Sequence, residues 1–356
     1  MTNLERLKQT LASKNIDSML VSDIPSVQWA TNFTGSNGQI LLHEGNGTFV
    51  TDSRYTLQAG EQVKPLPVAA YNGTMNAAEF LAGEARKLGM KKVGFESGSV
   101  SYQTYADWKD KFGEIELVPV KNLVGPLRAV KSPEEVEKIR VACALADQCV
   151  EHVTRLIQPG VSEFDIGLEI EFFFRRHRAE IGFDPIVASG PRSALPHGRA
   201  SERKLEAGDL ITLDLGCKLD GYCSDITRTF GVVELDEKSR SLYDLVLKAQ
   251  IASIEAIKPG VSGKAVDQVA RDIFAEANMA QYFGHGLGHG LGKLVHDSGS
   301  LSPRSDTIIE PGMVLTVEPG LYLEGFGGVR IENDVVVTES GCEILDHYPK
   351  ELLIFP

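Results

Sequence analysis

The 356 residues carry 49 acidic and 36 basic side chains, a net charge of −13 that argues against nucleic acid or an anionic membrane as main partner. Hydrophobic residues make up 42% and charged residues 24%, the composition of a soluble globular protein with room for two domains. The chain shows no long apolar run and no signal-peptide core, and its five cysteines lack a disulfide or zinc rhythm, so a cytoplasmic protein with reduced thiols is expected.

Leu4, Leu7 and Leu11 share one helical face and predict a helix from Asn3 to Lys14. A strand-like run, IDSMLVSD, follows. Residues 39–51 read as two strands around Glu44-Gly45-Asn46-Gly47, a hairpin signal. TMNAAEFLAGEARKLGM looks helical, KKVGFES strand-like, SYQTYADWKDKFG helical and IELVPV strand-like. This alternation predicts a small α/β domain over residues 1–125, without a cluster of ligand-like side chains.

A second domain, 126–356, is announced by Ser132-Pro133-Glu134-Glu135, a capping box with proline at the first helical position. Within it the sequence repeats. Ile157-Gln158-Pro159-Gly160-Val161-Ser162 returns 100 residues later as Ile257-Lys258-Pro259-Gly260-Val261-Ser262. The run from Gly208 to Gly216, with Asp214, returns as Gly312 to Gly320, with Glu318, and Gly221-x-x-x-Asp225 is echoed by Gly328-x-x-x-Glu332. Three matches in the same order predict duplicated halves about a pseudo-two-fold axis.

The duplication aligns acid with acid, Asp214 with Glu318 and Asp225 with Glu332. Asp214 and Glu318 both end apolar runs, where a carboxylate is costly unless paired or bound to a cation. A hairpin loop at 219–220 sets Asp214 opposite Asp225, and a loop at 220–221 makes them diagonal neighbours. Either register aims both at one spot. Four converging carboxylates favour divalent metal, two ions bridged by carboxylates, of a kind that accepts oxygen and imidazole donors: Mn²⁺, Co²⁺ or Zn²⁺. The stretch FGHGLGHGLGKLVHD, 283–297, adds His285, His289 and His296 among five glycines. It lacks the third glycine of a dinucleotide motif, because Leu291 stands there, and the chain has no H-E-x-x-H.

With LPHGRAS (195–201), LDLGCKLDGYCSDITRTF (213–230), HGLGHGLGKLVHD (285–297), VLTVEPGLY (314–322) and GGVRIEND (327–334), the second domain resembles the metallopeptidases of the methionine aminopeptidase and proline-peptidase family. NFTGSNG (32–38) and TDSRY (51–55) resemble the creatinase-type domain that precedes it in proline-specific members. The resemblance implies an α+β fold: a pita-bread catalytic domain with internal pseudo-two-fold duplication behind a smaller creatinase-like α/β domain. It implies metal ligands at Asp214, Asp225, His289, Glu318 and Glu332, with Asp225 and Glu332 bridging two ions, Mn²⁺ ahead of Co²⁺ or Zn²⁺. His197, His285 and His296 match histidines that line the site, and Arg330 an arginine that supports its geometry. Lys293 departs from the family, which usually has an apolar residue there, and is expected to alter the local pocket wall.

The implied activity is hydrolysis of the Xaa-Pro bond at the N-terminus of short peptides. Glu318 would take the proton of the attacking water and pass it to the leaving nitrogen. His296 and His197 would stabilise the oxyanion or orient the substrate, and His285 would shuttle protons or line the leaving-group pocket. An Xaa-Pro aminopeptidase is favoured slightly over an Xaa-Pro dipeptidase, and a homodimer is expected. A metal-free creatinase-like hydrolase and a non-catalytic binding protein of the same fold remain alternatives, disfavoured because all five ligand positions are filled.

Overall fold

The first helix begins at a capping box. In the computed structural model, which describes residues 1–356, the Glu5 amide donates to the Thr2 hydroxyl at 3.2 Å and the Thr2 amide donates to the Glu5 carboxylate at 2.7 Å. This helix, α1 (Asn3–Ser13), buries Leu4, Leu7 and Leu11, as their spacing predicts. It opens the first of two units, Met1–Arg128 and Ala129–Pro356.

In the first unit the chain continues through β1 (Ser18–Val21), α2 (Ile24–Thr31), β2 (Gln39–His43), β3 (Asn46–Asp52), α3 (Thr56–Gln62), β4 (Val68–Tyr71), α4 (Ala77–Lys87), β5 (Lys92–Glu96), α5 (Tyr102–Phe112), β6 (Glu116–Val120) and α6 (Val124–Ala129). The strands form one mixed sheet in the order β4-β3-β2-β1-β5-β6. The hairpin between β2 and β3 turns on Glu44 and Gly45, at φ 46° and 82°, a pair of left-handed conformations whose twist suits a two-residue loop. The elements without a sequence signal, α2, α3, β4 and α6, are four to eight residues long. Short elements carry too little periodicity to read. In α2 the buried residues Ser26, Val27, Trp29, Ala30 and Thr31 run nearly without a break.

The second unit starts with α7 (Pro133–Thr154), capped by Ser132 and Glu135 in the expected reciprocal pair of bonds. Its first half continues with α8 (Glu163–Arg176), β7 (Glu180–Ile181), β8 (Ile186–Ser189), β9 (Leu210–Leu215), β10 (Cys217–Leu219), β11 (Tyr222–Cys223) and β12 (Ile226–Val232). The second half holds α9 (Glu237–Glu255), α10 (Gly263–Glu276), β13 (Gly288–Gly290), β14 (Asp297–Leu301), β15 (Val314–Val317), β16 (Gly320–Leu323), β17 (Gly327–Arg330), β18 (Asn333–Val337), β19 (Cys342–Ile344) and β20 (Ile354–Phe355), which returns to pair with β12. The main sheets run β20-β12-β9-β8 and β14-β13-β15-β18-β19.

The duplication holds at the level of single hydrogen bonds. Gly160 donates to the Leu205 carbonyl at 2.9 Å and Gly260 to Ile309 at 2.8 Å. Gly208 donates to Val232 at 2.9 Å and Gly312 to Val337 at 2.8 Å. The hydroxyls of Ser162 and Ser262 cap α8 and α10 alike. Each half packs a helix pair on a sheet: Ile170 and Phe174 lie in one core with Ile211 and Leu213, and Ala270 and Phe274 in another with Leu315 and Val335. No helix is long and apolar enough to cross a membrane.

Candidate metal centre

Hairpin register aims the acids. β9 and β12 pair Asp214 with Thr227 and Leu215 with Ile226, and the tip closes with Leu219 opposite Tyr222. The loop therefore falls at Asp220-Gly221, with φ 49° and 79°, the pair of left-handed residues a tight hairpin turn needs. Of the two registers the sequence allows, this one makes Asp214 and Asp225 diagonal neighbours on one face. In the other half β15 and β18 pair Val317 with Asn333, and one step further along that register Glu318 comes opposite Glu332.

These side chains line one cavity of about 890 Å³. All nine residues singled out in the sequence lie on its wall: His197, Asp214, Asp225, His285, His289, His296, Glu318, Arg330 and Glu332. Donor atoms of Asp225, His289 and Glu332 lie within 4.8 Å of one another. His289 Nε2 stands 3.5 Å from Glu318 Oε1 and 3.7 Å from Asp225 Oδ2. Its Nδ1–H donates to the Gly290 carbonyl at 3.1 Å, which leaves the Nε2 lone pair directed at the acids. The backbone approaches closely here. A Cβ at Gly288 would collide with the Thr316 carbonyl, and one at Gly290 with that of Ser298.

The electrostatics fit a cation. Burial, then the neighbouring carboxylates, hold Asp225 and Glu332 well above the usual carboxylate range. Burial raises Glu318 to about 8, with Arg330 pulling the other way. Burial and then His296 push His289 down to about 4, which keeps its ring neutral. Asp214 Oδ1 and Glu332 Oε1 are buried without a hydrogen-bond partner, an arrangement that is costly unless a ligand completes it. Buried acids with free oxygens, joined by a neutral imidazole, match the donor set of a divalent first-row metal.

Neighbouring residues hold these donors in place. Arg330 donates to Asp214 Oδ2 at 2.6 Å, to the Tyr322 hydroxyl at 2.9 Å, to the Pro196 carbonyl at 3.1 Å and to Thr227 Oγ1 at 3.1 Å. Thr227 in turn donates to Glu332 Oε2 at 2.6 Å. The Asp225 amide donates to Asp334 Oδ2 at 2.9 Å, and Arg228 donates to the Glu332 carbonyl. Tyr322 and Thr227 escaped the sequence reading although both lie inside quoted segments, because a hydroxyl in a strand carries no signal without its partner.

The histidines take different positions. His296 is exposed, with its ring edge-on to His289 at 4.2 Å between centroids, and His197 is exposed as well. His285 has both nitrogens engaged: Nδ1–H donates to the Gly286 carbonyl at 2.8 Å and Nε2 accepts from the Tyr322 hydroxyl at 2.9 Å. Lys293 does not lie on the cavity wall, contrary to the expectation that it alters it. It is buried behind the wall, its ammonium 4.3 Å from the Tyr222 ring centroid. Cys217 and Cys223 are free, buried thiols, raised by burial to about 11 and about 12.

The family model for metallopeptidase family M24 matches residues 137–339, and that for the creatinase/prolidase N-terminal domain matches residues 3–130. A Xaa-Pro dipeptidase of Pyrococcus furiosus is 34% identical over 351 residues, covering 98% of this chain and 99% of that protein. Among solved structures, a Xaa-Pro dipeptidase from Bacillus anthracis superposes with a TM-score of 0.95 at 41% identity, over 99% of both chains. An X-Pro aminopeptidase from Thermotoga maritima superposes with a TM-score of 0.91 at 36% identity, over 100% of both chains.

Proposed function

The chain belongs to metallopeptidase family M24, with the pita-bread fold, and from that premise we propose that it is a metal-dependent exopeptidase cleaving the Xaa-Pro bond of short peptides with a free N-terminus. The observation that carries this reading is the meeting of buried, unpartnered carboxylate oxygens with the free Nε2 of His289 in a cavity large enough for a small peptide.

Two divalent ions held by Asp214, Asp225, His289, Glu318 and Glu332 would supply Lewis acidity, polarising the scissile carbonyl and making water a nucleophile near neutral pH. Mn²⁺ is the first choice, ahead of Co²⁺ and Zn²⁺. Glu318 takes the proton of the attacking water on its carboxylate and returns it to the prolyl nitrogen, a poor leaving group until protonated. His296 and His197, both exposed on the cavity wall, donate to the carbonyl oxygen as charge develops there. His285, with both nitrogens already bonded, lines the wall as a neutral ring instead of shuttling protons. Arg330 fixes the Asp214 carboxylate and, through Thr227, that of Glu332.

On substrate length the reading moves from the aminopeptidase favoured by sequence toward Xaa-Pro dipeptides. The names of two of the three relatives above support the move. The test strips the protein with chelator, restores Mn²⁺, Co²⁺ or Zn²⁺ separately, and offers Xaa-Pro beside Xaa-Pro-Yaa. Metal-restored hydrolysis, faster on the dipeptide, is expected. Activity that survives complete metal removal, or no cleavage with any of the three ions, overturns the reading.

A further inference from the structure

The sheet places a second functional group at a defined distance from the acids. Ile186 in β8 pairs with Asp214 in β9 on one side and is bridged antiparallel to Arg199 on the other. Asp214, Ile186 and Arg199 thus form one row across three neighbouring segments, and directly opposite residues project on the same face. All three line the cavity. Two strand spacings separate the Cα atoms of Asp214 and Arg199 by about 10 Å, within reach of an extended arginine side chain toward the site.

Charge singles out Arg199. Only Arg199 and Arg330 bring a permanent positive charge to the cavity wall, and the Arg330 guanidinium is buried and consumed by four acceptors. Arg199 has one charged partner, Asp184, at 3.1 Å, and the two side chains are 82% and 66% exposed. So solvated a pair contributes little and exchanges partners at low cost.

We infer that Arg199 is the specificity-determining residue that receives the C-terminal carboxylate of a dipeptide substrate, exchanging Asp184 for it on binding. The inference rests on the Xaa-Pro peptidase reading and adds its length preference. In an Xaa-Pro dipeptide the terminal carboxylate carbon lies three bonds from the scissile carbonyl carbon, roughly 3 to 4 Å away, so a substrate anchored at the acids holds its negative charge inside the cavity, where Arg199 is the cation not already consumed by buried acceptors. In a longer peptide the same position holds a neutral amide, which makes no ion pair. A planar guanidinium suits the two carboxylate oxygens.

The test compares wild type, Arg199→Leu and Arg199→Lys, each loaded with the restoring metal, on an Xaa-Pro dipeptide and on the same dipeptide with its C-terminus amidated. Arg199 is exposed, so neither substitution threatens the fold. The Leu variant is expected to raise KM for the free acid about tenfold or more, with kcat little changed and the amide unaffected, and the Lys variant to recover part of the loss. An acid-to-amide ratio that is the same in the Leu variant as in wild type overturns the assignment while leaving the peptidase reading intact. Failure of the wild type to cleave either substrate with any ion overturns the peptidase reading, and this inference with it.

Discussion

Thr227→Val tests whether the hydrogen bonds around the acids set metal affinity. Thr227 is fully buried and valine has nearly its shape, so the change removes a hydroxyl without opening a cavity. The hydroxyl donates to Glu332 Oε2 at 2.6 Å and accepts from Arg330 Nε at 3.1 Å. A hydrogen bond to a charged group contributes about 1.5–3 kcal/mol, and Glu332 is only 1% exposed. Because about 1.4 kcal/mol is a factor of ten, metal binding should weaken about ten- to a hundredfold. Calorimetric titration of the metal-stripped protein, or competition against a chelator of known affinity, measures this. A circular-dichroism melt of the same sample checks that the fold is kept. An affinity for metal indistinguishable from wild type in a folded Thr227→Val protein would refute the claim that this contact organises Glu332.

Three further outcomes are expected. Gly290→Ala drives a Cβ into the Ser298 carbonyl, so the metal-free protein should lose about 1–3 kcal/mol of stability, read from the denaturant midpoint, and an unchanged midpoint would contradict the close approach. His285 is held near pKa 4 by burial against an ordinary 6.5, so its neutral form is the folded one. Its stability contribution is complete above pH 6.5 and lost as pH falls toward 4, by at most about 3 kcal/mol. His285→Gln should flatten the stability profile over that window, and a profile parallel to wild type would remove His285 from the account. Lys293 is lowered to about 8 by burial, a sign that its charge is costly where it sits. Lys293→Leu should therefore melt at or above the wild-type temperature at pH 7 with unchanged kinetics, and a clear loss of either would show that the ammonium matters beyond its contact with Tyr222.

Much of the fold was legible because its signals are local. The capping box at Ser132 needs only four consecutive residues, and it forms. The repeat from Ile157 to Ser162 and from Ile257 to Ser262 needs only comparison of the chain with itself, and the two copies make equivalent backbone bonds. What stayed hidden had no local period. The 310-helical turn Gly190–Ala194 and the short α3 fall in this class, as does Arg199, whose part in the site depends on pairing through Ile186.

The sequence alone determined the chemical inventory: four acids placed in register by duplication, and histidines set among glycines. Side-chain type and spacing are covalent facts, and a buried carboxylate at the end of an apolar strand is costly without a cation whatever surrounds it. The tertiary structure decided which atoms meet. It chose the loop at Asp220-Gly221, moved Lys293 behind the wall, tied His285 to Tyr322, and joined Asp214 to Glu332 through Arg330 and Thr227. Hydrogen bonds act over about 3 Å between residues that in this site lie up to 134 positions apart, and only the folded backbone brings such distances together.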